Sequence, residues 1–203
     1  MNSKIALAIA AALSLAGTAQ AATLQNTSFE SGLTGWTAIG TVSAVNSLTV
    51  DSISVAPKDG VAMAELTAAG LPELLFQSAT TPLSAGATLW YRLVTTDFGG
   101  GLFNTGDTLG LAYTDAGGLH AITGLNSKSL TNIGGTGDSG WLSFALPSGT
   151  KGVGIVLAGD FDNKNSHAFI DFSAPVPEPG DWAMILAGLG MVGVMARRRS
   201  LKG

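Results

Sequence analysis

The chain has no cysteine among its 203 residues, so no disulfide can hold it together. Small secreted domains commonly depend on disulfides, whereas a cysteine-free domain depends on the burial of a hydrophobic core, in some cases with the help of a metal ion. The absence of cysteine also excludes a catalytic thiol.

Positive charge is scarce between residues 22 and 176. This stretch has five lysine or arginine side chains against twelve aspartate or glutamate side chains, a net charge of −7. Proteins that bind nucleic acid present a basic patch to the phosphates, and the stretch has none. We therefore expect no nucleic-acid partner.

Residues with catalytic chemistry are also few. The two histidines, His120 and His167, have no second histidine or cysteine at metal-ligand spacing, and both are expected at surface or turn positions. No serine stands in a Gly-x-Ser-x-Gly motif, and no pair of carboxylates is marked as an acid and a base. The sequence indicates that the protein is not an enzyme, and a secreted hydrolase is the least favoured alternative.

The N-terminal end carries one of two apolar runs. Residues 1–21 combine the basic Lys4, an apolar run over residues 5–16 and a small-residue box that ends at Ala21. This order is typical of a secretory signal peptide, whose helix passes through the Sec translocon and is removed by signal peptidase. We predict cleavage after Ala21, or alternatively after Ala22, and export of the chain.

The C-terminal end carries the second run. Pro177, Glu178 and Pro179 are followed by apolar residues 182–196, and then by three arginines. The prolines lack N–H donors and favour an extended backbone. A helix of about 15 residues is about 22 Å long, short for a hydrocarbon core of about 30 Å. We predict a short transmembrane helix with Arg197, Arg198 and Arg199 as a cytoplasmic stop-transfer signal, or an ordinary membrane anchor.

The order of these three parts resembles the PEP-CTERM protein-sorting signal of Gram-negative bacteria. The resemblance covers residues 176–203 and includes the Val-Pro-Glu-Pro sequence, the Ala-Gly-Leu-Gly of the apolar run and the arginines. It implies that an exosortase in the inner membrane cuts near Pro177, Glu178 and Pro179 and removes the tail. It also implies a cell-surface or extracellular-matrix protein of an exopolysaccharide-producing, biofilm- or floc-forming bacterium.

The middle of the chain, residues 22–175, reads as one domain. Short runs with apolar and polar residues in alternation are separated by turn residues, which predicts a single antiparallel β-sandwich of the jelly-roll type. No long stretch has helical periodicity. The glycine-rich segments 99–106 and 134–140 are predicted as surface loops. The predicted strands are Gly40–Asn46, Val61–Thr67, Leu74–Thr80, Ala87–Thr95, Thr108–Thr114, Leu119–Thr123, Trp141–Leu146, Gly152–Ala158 and Ala168–Phe172.

The start of this domain carries a second resemblance. Asn-Thr-Ser-Phe-Glu at residues 26–30 and Gly-Leu-Thr-Gly-Trp at residues 32–36 are similar to the opening of galactose-binding-like β-sandwiches, which include many carbohydrate-binding modules. The resemblance implies a structural calcium ion held by Glu30 and Asp171, with a backbone carbonyl near Asn26 as a third ligand. The alternative is that both carboxylates are solvated or accept turn hydrogen bonds.

Aromatic side chains could stack on the apolar face of a sugar ring. Trp90 is the best candidate, because it alternates with the apolar side of its strand. The other aromatics are expected to be core residues: Trp36, Tyr91, Tyr113 and Trp141. The favoured function is a structural or adhesive role in an exopolysaccharide-rich matrix, and the alternative is a module that recognises a polysaccharide.

Overall fold

The computed structural model describes residues 24–68, 71–83, 86–96, 106–133, 135–159 and 166–173. The predicted signal peptide, the sorting signal at residues 176–203 and most of the glycine-rich segment 99–106 lie outside these residues. In the part that is described, no helix has the length and apolar character needed to cross a membrane.

The described residues form β-strands and one 3-10 helix at Ser127–Ser129. The strands are β1 (Thr37–Ile39), β2 (Val42–Val45), β3 (Leu48–Val50), β4 (Ile53–Val55), β5 (Met63–Thr67), β6 (Glu73–Ser78), β7 (Thr88–Thr95), β8 (Thr108–Asp115), β9 (Gly118–Asn126), β10 (Asn132–Ile133), β11 (Thr136–Asp138), β12 (Leu142–Ala145), β13 (Gly152–Ala158) and β14 (Ser166–Ser173).

Two antiparallel sheets make the body of the domain. The first sheet has the order β1-β6-β13-β8-β9, and the second has the order β10-β11-β7-β14-β5-β2, with β12 paired to the free part of the β7 edge. Strands β3 and β4 form a separate hairpin. This architecture confirms the prediction of an all-β antiparallel sandwich.

The alternation in the sequence places the main core between the sheets. Leu89, Tyr91 and Leu93 of β7 point inward and are buried, as are the alternating Val153, Ile155 and Leu157 of β13. Because successive side chains of a strand point to opposite faces, the residues between them point away from this core. The buried side chains of β7 and β13 thus follow the alternation of apolar residues in their sequences.

The hairpin β3–β4 lies over the outer face of the second sheet. Val50 and Val55 of the hairpin pack with Met63, Val94 and Phe169 of the sheet, in a second and smaller core. Trp141 packs against the edge of this cluster. The outward-facing apolar residues of β5, β7 and β14 are therefore covered.

One loop prediction is wrong. Within segment 134–140, Thr136–Asp138 form strand β11, where Gly137 pairs with Thr95 and Asp138 with Val94 of β7. The carboxylate of Asp138 accepts two hydrogen bonds from the Arg92 guanidinium, one of them 2.8 Å long from Nε. This bidentate pair and the ladder hydrogen bonds hold a glycine-rich segment in the sheet, which local composition did not indicate.

An aromatic cluster joins the beginning and the end of the domain. Phe29 and Trp36, from the segment before β1, lie with ring centroids 6.2 and 5.6 Å from Phe172 of β14. The indole N–H of Trp36 donates to the carbonyl of Asn26, and the N–H of Gln25 donates to Oε1 of Gln77. Both ends of the described chain therefore lie at the same end of the sandwich.

Candidate functional site

The loop between β4 and β5 is fastened by the two carboxylates that the sequence singled out. Oδ2 of Asp171 accepts hydrogen bonds from the N–H groups of Lys58 at 2.7 Å and Asp59 at 2.8 Å. Oε1 of Glu30 accepts from Val61 at 2.7 Å and Ala62 at 3.2 Å. Glu30 and Asp171 thus hold the two halves of one loop.

Asp171 is unusual for a carboxylate residue, because it belongs to strand β14 and is 0% exposed. Burial raises the pKa of Asp171 to about 6, and the N–H groups of Asp59, Phe172 and Lys58 oppose part of that rise.

The same two residues were predicted as calcium ligands. Among the residues that the structure describes, no group of three histidine, cysteine, aspartate or glutamate side chains is arranged to hold a metal ion. Both carboxylates accept hydrogen bonds from backbone N–H groups. This arrangement agrees with the alternative to a calcium site, in which the two carboxylates accept hydrogen bonds from a turn. Calcium binding by Glu30 and Asp171 stays a prediction.

Trp90 lies where the chain leaves the folded domain. Its indole N–H donates a 3.0 Å hydrogen bond to the hydroxyl of Ser173, the last residue of β14. The ammonium of Lys58 lies 4.9 Å from the centroid of the indole ring, in a cation–π contact. Trp90 is half-buried, so it presents a mixed aromatic and cationic surface beside Ser173 rather than an open stacking platform.

Of the other aromatics, Trp36 and Tyr91 are buried as predicted. Tyr113 is only partly buried, and its ring is stacked on His120 at a centroid distance of 4.8 Å. Nε2 of His120 is 2.8 Å from Oδ1 of Asp115, and the hydrogen bond with His120 lowers the pKa of Asp115. Side chains of the β8–β9 hairpin thus combine a ring face with a carboxylate.

His167 belongs to a separate polar cluster on the second sheet. Its Nδ1 is 2.7 Å from Oε1 of Glu65, and this hydrogen bond is the main reason that the pKa of Glu65 is lowered. Ser43 and Thr67 donate to the same carboxylate at 3.3 and 3.2 Å. Because Ser43 contacts Glu65 and not His167, this cluster does not align a serine nucleophile with an imidazole base.

The roles of Lys58 and Ser173 were not found from the sequence. Lys58 lies more than a hundred positions from Asp171 along the chain, and its place above Trp90 depends on the loop fastened by Asp171. One signal was available for Ser173, since it closes the last alternating strand just before the proline-rich motif.

The model of the PEP-CTERM protein-sorting motif matches residues 175–199. The match begins two residues after the end of β14 and confirms the sorting signal predicted from the proline motif, the apolar run and the arginines. The motif indicates an exported, membrane-transiting protein. No curated protein matches the chain.

Solved structures with a similar fold include binding modules and adhesin domains. A carbohydrate-binding module specific for non-crystalline cellulose, CBM28, is 10% identical over 76% of this chain and 96% of its own, with a TM-score of 0.44. A family 16 carbohydrate-binding module is 18% identical over 73% and 97%, with a TM-score of 0.38. A cleaved adhesin domain of Lys-gingipain from Porphyromonas gingivalis is 17% identical over 73% and 96%, with a TM-score of 0.44.

Proposed function

We propose that the protein is an exported precursor whose sorting signal, residues 176–203, is cut by an exosortase in the inner membrane. The β-sandwich then serves a non-enzymatic structural or adhesive role in an exopolysaccharide-rich extracellular matrix. The observation that carries the proposal is the position of the sorting motif. It begins two residues after Ser173, so a cut near Pro177, Glu178 or Pro179 leaves every described strand in place.

The front of the chain supports the same order of events. The first described backbone hydrogen bond to the domain is donated by Gln25, three residues after Ala22. Cleavage by signal peptidase after Ala21 or Ala22, following transport by the Sec translocon, also falls outside the folded unit. Both removable ends therefore flank a domain that keeps its strands after either cut.

The composition of the domain is compatible with a location outside the cell. It has an acidic balance of charges, and its hydrophobic clusters form without disulfide bonds. Excess acidic charge favours solubility and disfavours binding to polyanions. Contact with a matrix polysaccharide would accordingly use neutral or hydroxyl-rich polymers rather than strongly anionic ones.

A polysaccharide-recognition role has one specific observation in its favour. The imidazole of His120 is stacked on Tyr113 and is 40% exposed, with the Asp115 carboxylate beside it. A ring face together with a hydrogen-bond acceptor is the combination that a sugar needs. A polysaccharide pull-down compares the wild type with two variants. His120→Ala tests the site at His120 and Tyr113, and Trp90→Ala tests the site predicted from the sequence.

Calcium is a separate proposal. A metal ion at Glu30 and Asp171 would tie the first turn of the domain to its last strand. Calcium added to chelator-treated protein should then raise the melting temperature, and Asp171→Asn should remove the gain. If calcium does not change the melting temperature of the wild type, the proposed calcium site at Glu30 and Asp171 is wrong.

The experiment that tests the main proposal replaces Pro177, Glu178 and Pro179 with alanine in the native host. The expected result is an uncut chain that stays in the membrane fraction. Mature protein of normal mass from this variant would contradict processing at the motif.

A further inference from the structure

The sorting motif is tied closely to the folded domain. Three residues lie between Ser173 and Pro177, so the two Cα atoms are at most about 14 Å apart when the chain is fully extended. A protein that grips the motif therefore acts within about 14 Å of the end of β14. At that distance, the surface around Ser173 is brought next to the enzyme.

The segment between Ser173 and Pro177 could become longer only if the end of β14 unfolded, and several contacts oppose this. Ser173 is still paired with Thr88 of β7, and Phe172 is 1% exposed and packed on the aromatic cluster. Asp171 fastens the loop before β5, and the Trp90 indole bonds the hydroxyl of Ser173 itself. The last residues of the strand are thus held by pairing, packing and three side-chain hydrogen bonds.

The surface beside Ser173 has the chemistry of a protein contact. Trp90 is half-buried, and the exposed Lys58 lies over its ring. Tryptophan is enriched among the residues that dominate binding energies at interfaces, and a cation over its ring is held by electrostatic attraction. Lys58 is one of only five basic residues in an acidic domain, and it lies at the place where the tail departs.

We propose that Trp90 and Lys58 form the surface through which the folded domain contacts the membrane protease that reads the sorting motif. The inference rests on the proposed function, because it needs an enzyme at the motif. It goes further in assigning part of the recognition to the folded domain. The protease then reads a composite of the motif and the end of the sandwich.

The test measures the rate of tail removal by pulse-chase in the native host, with the full-length chain. Trp90→Ala and Lys58→Glu should each slow processing, by about tenfold for the loss of one strong contact. Leu71→Ala and Lys128→Glu are matched controls at the opposite end of the sandwich, and they should process at the wild-type rate. Thermal melts of each variant check that the domain is folded.

A spacer provides the decisive comparison. A ten-residue Gly-Ser segment between Ser173 and Ala174 detaches the motif from the domain surface, so it should slow processing to the rate of the Trp90→Ala chain. In the spacer background, Trp90→Ala and Lys58→Glu should then have no further effect, as expected for changes that remove the same interaction.

Two results overturn the inference. The first is that Trp90→Ala and Lys58→Glu chains without the spacer are processed at the wild-type rate. The second is that each substitution slows processing by the same factor in chains with and without the spacer. Failure of the proposed function gives a different result, namely processing that continues after the three motif residues are replaced by alanine.

Discussion

The indole N–H of Trp90 donates a 3.0 Å hydrogen bond to the hydroxyl of Ser173. Ser173 ends the last strand, and the sorting motif begins two residues later. A residue singled out in the sequence for its surface position thus bonds the last residue of the last described strand, two residues before the sorting motif.

Ser173→Ala should lower the free energy of unfolding by about 1 kcal/mol, because it removes this hydrogen bond and leaves the half-buried indole N–H without its partner. Urea unfolding of the folded chain measures the change. Ser148→Ala, at an exposed loop position, is the control and should have an effect of less than about 0.5 kcal/mol. Equal effects of the two substitutions would show that the bond contributes nothing.

Asp171 should make the domain less stable as the pH rises from about 4 to about 6. Its folded pKa is about 6, above the value of about 3.9 in an unfolded chain, because the carboxyl group is buried. Its contribution to stability is therefore complete below about pH 4 and is lost as the pH rises through 6. The two pKa values correspond to a loss of about 3 kcal/mol.

Asp171→Asn is the matched variant for this prediction, since the amide does not titrate. Unfolding free energies of the two proteins are compared between pH 4 and pH 7. The difference, wild type minus variant, should fall with rising pH. Parallel profiles would contradict a raised pKa for Asp171.

Glu65 should show the opposite behaviour. The hydrogen bond from His167 lowers its pKa below 4.5, so its contribution to stability is present at neutral pH and is lost as the pH falls through the lowered folded value. His167→Ala should raise the pKa of the Glu65 carboxyl group, as measured by NMR titration. His120→Ala is the control, because His120 lies on the other sheet and pairs with Asp115. An unchanged titration of Glu65 in His167→Ala would contradict the assignment.

Gly60→Ala should release part of the loop that Glu30 holds. Gly60 has a φ of 64°, and an added Cβ would lie 2.0 Å from Oε1 of Glu30, so the carboxylate would have to leave its two N–H donors. Gly149→Ala has a similar strain, with a φ of 92°, but its Cβ would meet nothing within 4 Å. Gly60→Ala should therefore cost about 1–2 kcal/mol more than Gly149→Ala. Equal costs in urea unfolding would contradict the role of Glu30.

Much of the fold could be predicted from local patterns. All nine predicted strands are present, because alternation such as that of Leu89, Tyr91 and Leu93 directly reflects a sheet with one face in the core. The short strands β1, β3, β4, β10 and β11 were missed. Each has two or three residues and depends on a partner strand distant in sequence or on a tight hairpin, which local alternation does not reveal.

The candidate site was predicted less completely. The sequence pointed to Glu30, Asp171 and Trp90, and the structure places all three around the β4–β5 loop or the end of β14. Their observed contacts are with backbone N–H groups, Lys58 and Ser173. Such contacts depend on which loop crosses the end of the strand, and residue spacing does not determine this.

Mass spectrometry of the mature protein from its native host tests the central claim most directly. The account predicts an N-terminus at Ala22 or Thr23 and a C-terminus near Pro177, Glu178 or Pro179, with the apolar run and the arginines absent. A chain that retains residues 182–203 while the sorting machinery of the host is active would contradict it, as would a cut within residues 24–173.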